Sequence, residues 1–346
     1  MSDFVIAWLD TQPEEEVTFA QDLLPDGFRI AASATGAADE RAELLATADA
    51  VLTQHAPVQA EEIASAARAR LIQKYGRRAD GIDLAAASAA GKVVATMPLR
   101  GCIAVAEHAI TLVLSLSKQL VRAHEATVSG AYRELGLEPA PTSQAVHAFQ
   151  WMKLPVFEVH GRTLGIVGYG EIGTEASIRA RAFGMHVLYT KRSRLPEETE
   201  ARYGVEWAEL DALLAASDFV LLSMPHTPET DRMIGARELG LMQESAFLVN
   251  VARGGLVDES ALVDALTERR IAGAALDVFV EEPVPWDHPL LELDNVIVAP
   301  HIGGGSGGAR VKQMSDALDN IVRFARGKSP HNIIGESDRE GTEVSC

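Results

Sequence analysis

Short apolar runs alternate with amphipathic, alanine-rich stretches along most of this chain. In the first hundred residues the runs are FVIAWL, FRIAAS, ADAVLTQ, RLIQKYG and KVVATM, separated by helix-like segments such as ERAELLATA. Brief β-branched runs between helical stretches predict strands of a parallel sheet covered on both faces by helices. The second half repeats the rhythm more clearly, with TLGIVGYG, HVLYTK, FVLLSMP, AFLVNVAR, AGAALDVF and VIVAPHIG as six successive strand candidates. The expected fold class is therefore α/β, with two doubly wound parallel-sheet domains.

Between the halves the pattern predicts one buried helix from Ile103 to about Val128. Glu107, His108 and Thr111 interrupt its apolar run, which falls short of the roughly 20 residues a membrane span requires, so no membrane role is expected. From Gly130 to Val159 the pattern is irregular, with Pro139, Pro141, Pro155, Phe149 and Trp151. Loops this long usually serve a function. Two readings stand side by side here: a surface excursion packed by its own aromatics, or a dimer arm or lid over a neighbouring site. The polar, aperiodic end, residues 336–346, is expected to be a disordered tail.

Composition narrows the function classes. The chain has 346 residues, 47% of them apolar, and a formal net charge of -18. That charge repels phosphate backbones and anionic lipid, so no nucleic-acid partner is expected. Cys102 and Cys346 offer neither a metal-ligand spacing nor a disulfide framework. The N-terminus turns acidic after one short strand-like run and has no secretory pattern, which suits a cytoplasmic protein without a metal.

Chemistry first appears in LGIVGYGEIG. Gly168, Gly170 and Gly173 follow an apolar run and precede the helix-like TEASIRARAFG. In this setting the three glycines would provide, in turn, a tight turn, room for a pyrophosphate to approach backbone, and close helix-to-strand packing. The candidate dinucleotide contacts are Gly168, Tyr169, Gly170, Glu171, Ile172 and Gly173. A carboxylate closing the next strand would bind the adenosine ribose and repel a 2′-phosphate, but HVLYTKRSR places Thr190 there. Lys191, Arg192 and Arg194 follow at once. The turn therefore favours NADP over NAD, the alternative being a solvated basic turn.

Three further charged residues stand where strands are predicted to end: Arg253 in NVARGGLVDE, Glu282 in DVFVEEP and His301 in VAPHIGGG. Ligands of open parallel sheets bind outside such carboxyl ends. Arg253 can grip a substrate carboxylate in bidentate fashion and polarise the neighbouring carbonyl. His301 can donate a proton to the carbonyl oxygen as hydride arrives, or accept it in reverse. Glu282 against the imidazole would fix its orientation and favour its charged form.

With VAEHA at 105–109, GRTLGIVGYGEIG at 161–173, SMPHTPET at 223–230, NVARGGLVDE at 250–259, ALDVF at 275–279 followed by EEP, and APHIGG at 299–304, the sequence resembles the D-isomer-specific 2-hydroxyacid dehydrogenase family. The resemblance implies a Rossmann cofactor domain, residues 100–301, inserted in a flavodoxin-like substrate domain made of residues 1–99 and 302–335. It implies a homodimer held through the cofactor domains, and Arg253, Glu282 and His301 as the catalytic residues. It further implies that Asp277 contacts the nicotinamide amide and that Met224, Pro225, Thr230, Val251 and Gly303 border the cofactor.

Where the family commonly carries a loop of the type GVGYDNID, this chain has GRRADGID, and MPLRGC follows the next strand. Tyr75, Gly76, Arg77 and Arg100, together with Arg253, are the expected substrate contacts. Arg77, Arg78 and Arg100 suggest a substrate with a second anionic group; surface arginines paired with local carboxylates are the alternative. The glutamate before Pro283 argues against formate oxidation, since a proton-donating histidine has nothing to do when carbon dioxide is the product. Phosphite oxidation, and a non-enzymatic role as a dinucleotide-sensing binding protein, remain as alternatives to a 2-keto acid reductase.

Overall fold

The computed structural model describes residues 3–139, 141, 143, 151–305 and 309–334. Phe149 and the tail from 336 onward lie outside these residues. The chain divides into two compact units: Met1–Gly101 with Ser306–Cys346, and Cys102–Gly305.

The first unit is built on strands β1 (Phe4–Trp8), β2 (Phe28–Ala32), β3 (Ala50–Thr53), β4 (Leu71–Lys74) and β5 (Val93–Ala95), in the order β2-β1-β3-β4-β5. All the pairings are parallel, and the order is the flavodoxin-like one. Period-two alternation explains why these strands read as unbroken apolar runs. Ile6, Trp8, Leu52, Leu71 and Ala95 enter a core shared with Met314, Leu318 and Ile321 of helix Ala309–Ala325. Their neighbours Ala7, Leu9, Val51, Ile72 and Val94 enter a second core with Leu45 and Ile63. Each such buried Leu or Ile contributes about 1.5–3 kcal/mol. The returning stretch of chain is tied in by polar groups as well. Asn320 donates to Gln73 Oε1 at 2.7 Å and accepts from His331 N–H at 2.6 Å, and Ile334 N–H reaches Val94 O at 2.9 Å.

The second unit holds β6 (Thr163–Val167), β7 (His186–Thr190), β8 (Glu206–Trp207), β9 (Phe219–Leu222), β10 (Phe247–Asn250), β11 (Gly273–Leu276) and β12 (Val296–Val298). Their order, β12-β11-β10-β9-β6-β7-β8, is the Rossmann arrangement extended by one strand. Again the two faces separate. Leu164, Ile166, Phe219, Leu221 and Val249 lie on one side, and Val167, Val220, Leu222, Leu248 and Leu276 on the other. The winding reverses between β6 and β9, so a crevice opens at their carboxyl ends.

Two sequence expectations change. The predicted helix from Ile103 to Val128 is two helices, Arg100–Lys118 and Leu120–Ser129, broken where Gln119 adopts φ 51°. The first is apolar and long enough to cross a membrane by composition alone, yet Ala106, Ala109, Ile110, Val113 and Leu116 are core residues of this unit. The two-residue strand β8 adds a seventh strand to the six expected. In the irregular stretch, residues Ala131–Leu135 form a 3-10 turn, and Tyr132 meets Trp151 edge-on with ring centres 5.4 Å apart.

Candidate active site

The glycine loop joins β6 to helix Glu171–Ala182. Gly168 has φ +92°, and a Cβ there would overlap Met224, which follows β9 on the far side of the switch point. A Cβ on Gly173 would meet Gly168 O at 3.0 Å and Ile166 at 3.1 Å, so this glycine lets the helix close on the strand. At Gly170, the residue that opens the helix, a Cβ would touch nothing within 4 Å. That open side, at a helix N-terminus whose first N–H groups lack intrahelical acceptors, fits a pyrophosphate. Tyr169 is buried, its ring 4.7 Å from that of Tyr189 and its hydroxyl 2.7 Å from Ser177 Oγ, so only its backbone can meet a cofactor. Thr230 Oγ1 donates to Pro225 O at 3.0 Å and accepts from Thr227 N–H at 2.8 Å, which fixes the turn after β9. Val251 is buried behind β10.

Thr190 ends β7, its carbonyl accepting from Gly168 N–H at 3.0 Å. Arg194 is not available to a ligand in the manner the sequence suggested. Its Nε and Nη2 hold Glu200 at 2.9 and 2.7 Å, and its guanidinium lies over Trp207. The Tyr189 hydroxyl donates to Glu200 at 2.7 Å and accepts from Leu195 N–H at 2.8 Å. Burial, then the bond to Glu200, pushes Tyr189 up to about 12. Arg192 remains exposed; its charge, behind the Thr227 hydroxyl and Glu229's own N–H, helps hold the Glu229 carboxyl below its ordinary range.

Arg253, Glu282 and His301 follow β10, β11 and β12 within one unit. His301 Nδ1 lies 2.6 Å from Glu282 Oε2, and Glu282 Oε1 accepts from Phe279 N–H at 3.0 Å. Burial disfavours the charged form of Glu282. The His301 bond, the Phe279 N–H and the charges of His301 and Arg253 together outweigh it, and the carboxyl is held below its usual value. Gly254 brings the Arg253 and Glu282 loops together, because a Cβ there would overlap the Phe279 carbonyl.

Sequence reasoning missed the groups that steady this site. Asn250, buried at the end of β10, accepts from Ala252 N–H at 3.0 Å and donates to Arg253 O at 2.9 Å. Glu259 accepts from Val280 N–H at 2.8 Å and faces His288 at 3.3 Å. Asp277, placed by resemblance at the nicotinamide, accepts from Ile302 N–H and Gly303 N–H, both at 2.9 Å, within the loop that carries His301. His301 itself has φ +54°, a conformation costing an L-residue about 1–2 kcal/mol. Only the spacing of carboxylates and amides around strand ends hints at these partners, and it does not single them out.

Apart from Arg253, the substrate candidates lie in the first unit. Tyr75 is a core residue, its N–H bonded to Thr53 O at 2.8 Å, and Gly76 O accepts from Met97 N–H at 2.9 Å. Arg77 follows them. Arg78 is buried against Asp80, with contacts of 3.0 and 2.5 Å, and Arg100 pairs with Asp316 at 2.7 and 2.5 Å. Two of the three arginines are thus already matched by carboxylates within their own unit, which withdraws most of the support for a second anionic group on the substrate.

Comparison with known proteins agrees with this geometry. Residues 110–303 match the family model for the D-isomer specific 2-hydroxyacid dehydrogenase NAD binding domain. The chain is 39% identical over 279 residues to the glyoxylate reductase of Thermococcus gammatolerans, an alignment covering 81% of this chain and 80% of that protein. It is 38% identical over 280 residues to the glyoxylate reductase of Korarchaeum cryptofilum, covering 81% and 80%. Among solved structures, a glyoxylate reductase from Paecilomyes thermophila superposes with a TM-score of 0.54 at 27% identity, over 97% of this chain and 99% of that one. A Rossmann sheet with its glycine loop, the three strand-end residues and these likenesses lead to one conclusion: the chain belongs to the D-isomer-specific 2-hydroxyacid dehydrogenase family and is an NAD(P)-dependent oxidoreductase of small 2-hydroxy and 2-keto acids.

Proposed function

We propose that this enzyme works as an NADPH-preferring, D-specific reductase of small 2-keto acids such as glyoxylate or hydroxypyruvate. The observation that carries the reading is the 2.6 Å contact between His301 and Glu282, with the charge of Arg253 beside them. The glycine loop and the turn after β7 would hold the nicotinamide cofactor, which supplies the hydride when bound. Arg253 grips the acid and polarises its carbonyl. His301 turns Nδ1 to Glu282, so its Nε2 delivers the proton to the carbonyl oxygen; in the reverse direction the same atom removes it. Glu282 supports the charge on the imidazole between turnovers. Residues 1–99 and 302–335 would carry the substrate loops, including Gly76 and Arg77.

NADPH preference rests on Thr190, Lys191 and Arg192, where no carboxylate closes β7. Oxidation of NADPH and of NADH, followed by absorbance with glyoxylate and with hydroxypyruvate, tests both parts. Turnover should be faster with NADPH, and Thr190→Asp should shift the ratio towards NADH by roughly tenfold or more, since a half-buried charge beside a phosphate repels it by at least about 1.4 kcal/mol. An unchanged ratio would refute this account of the turn, and no consumption of either cofactor with any keto acid would favour a binding protein.

The second unit also carries the features expected of a homodimer. Leu120, Val121, Val128, Leu135 and Trp151 expose apolar side chains on and beyond helix Leu120–Ser129, with Val128 73% exposed. A groove of about 1020 Å³ runs beside them, lined by Val121, Phe157, Phe247 and Val298 and edged by Arg122, Glu125, Arg269 and Asp294. An apolar patch of this kind on one folded unit suits a second copy, which would lay the same helix into the same groove. Sedimentation velocity should give a dimer, and Val128→Asp should yield monomer; a wild-type monomer at micromolar concentration would rule the dimer out.

A further inference from the structure

We propose that His108 is a positioning residue for the acid-base site: through Asp277 it holds the loop of His301 in the conformation that proton transfer needs. The inference rests on His301 being the proton donor.

The loop has an unusual demand. His301 is a non-glycine residue at φ +54°, and such a left-handed turn aims the next two backbone N–H groups to one side, forming a small concavity suited to an anion. Asp277 fills it. Its Oδ1 accepts from Ile302 N–H and its Oδ2 from Gly303 N–H, each at 2.9 Å. The aspartate cannot drift, because its own N–H continues the sheet to Asn250 O at 3.0 Å and its side chain is almost wholly buried. A charged group so placed needs compensation from every direction. Two backbone amides supply part of it.

His108 completes the surround from helix Arg100–Lys118. Its Nε2 lies 3.2 Å from Asp277 Oδ1. The contact is close enough for charge to be felt but is poorly aligned, so the buried Nε2 lacks a well-formed hydrogen bond. The Asp277 carboxylate is an acceptor within reach of this buried nitrogen. The ring is also wedged against the loop. A Cβ added to Gly303 would meet Asp277 Oδ2 at 2.9 Å and His108 Cδ2 at 3.3 Å, so His108, Asp277 and Gly303 close on one another with no spare space. His108 acts through Asp277, which the resemblance also places at the nicotinamide amide. Its effect should therefore fall mainly on turnover and leave the glycine loop untouched.

The test compares His108→Ala with His108→Gln, whose amide reaches about as far as the imidazole Nε2. Both are assayed with NADPH, NADH and glyoxylate beside wild type and His301→Ala, with cofactor Kd from nucleotide fluorescence. His108→Ala should lower kcat tenfold or more, change cofactor Kd by less than it changes kcat, and speed hydrogen exchange at the Ile302 and Gly303 amides. His108→Gln should recover most of kcat and slow that exchange again; if the alanine variant does not fold, His108→Gln is compared with His108→Leu instead. The proposal is overturned if removing the polar group leaves kcat within threefold of wild type, if the Ile302 and Gly303 amides exchange as in wild type, or if glutamine restores nothing. Full activity in His301→Ala would instead overturn the assignment of His301 as proton donor.

Discussion

Replacing His301 with Ala is expected to lower kcat by roughly 10²–10⁴, the usual worth of a positioned general acid, while cofactor binding stays within about twofold. The split follows from where the imidazole sits. It follows β12, bonded at Nδ1 to Glu282, whereas the glycine loop follows β6. Without the ring the general acid is gone, and Glu282 also loses the His301 bond and charge that help hold its carboxyl below its ordinary range. The measurement is steady-state kinetics beside nucleotide titration. Equal loss of turnover and cofactor affinity would mean that the change has disturbed the sheet and has not simply removed a proton donor.

Arg253 should fail differently. Arg253→Ala is expected to raise KM for the keto acid and to lower kcat, with kcat/KM down roughly 10- to 150-fold, since hydrogen bonds to charged groups contribute about 1.5–3 kcal/mol. Arg253→Lys keeps the charge but loses the planar fork, and should lie between Ala and wild type. The guanidinium is exposed apart from a 2.6 Å bond to Ala252 O, and the backbone of Arg253 is pinned independently by Asn250. Truncation should therefore leave the loop standing. If kcat/KM for glyoxylate changes less than threefold, some other cation binds the acid.

Much of this architecture could be read from the chain. All five strands of the first sheet were legible because alternate residues enter two different cores, leaving few polar positions within the runs. β8 was not, since two residues beginning with Glu206 carry no periodicity. The break at Gln119 was hidden for a different reason. LSLSKQLVRA contains no glycine or proline, and the left-handed residue is imposed by how the chain turns in the fold. Arg253, Glu282 and His301 were singled out because strand ends concentrate function, and the structure brings Glu282 and His301 to 2.6 Å of each other. The supporting role of Asn250 was not legible, nor were the loop amides that Asp277 holds, because such bonds leave no mark on sequence pattern. The partners of Arg194 and Arg100 were not legible for the same reason: Glu200 and Asp316 look like ordinary surface acids until folding sets them opposite.

The network beneath the turn after β7 has a consequence for redesign. Tyr189 is fixed in the core at one end and receives Leu195 N–H at the other, with Glu200 and Arg194 bracing the join. Residues 190–193 are thus a bridge of set span between two anchored piers. Its content can be exchanged with little disturbance to the sheet, so coenzyme choice in this enzyme should be open to rewriting four residues at a time, provided Tyr189, Arg194 and Glu200 are left alone.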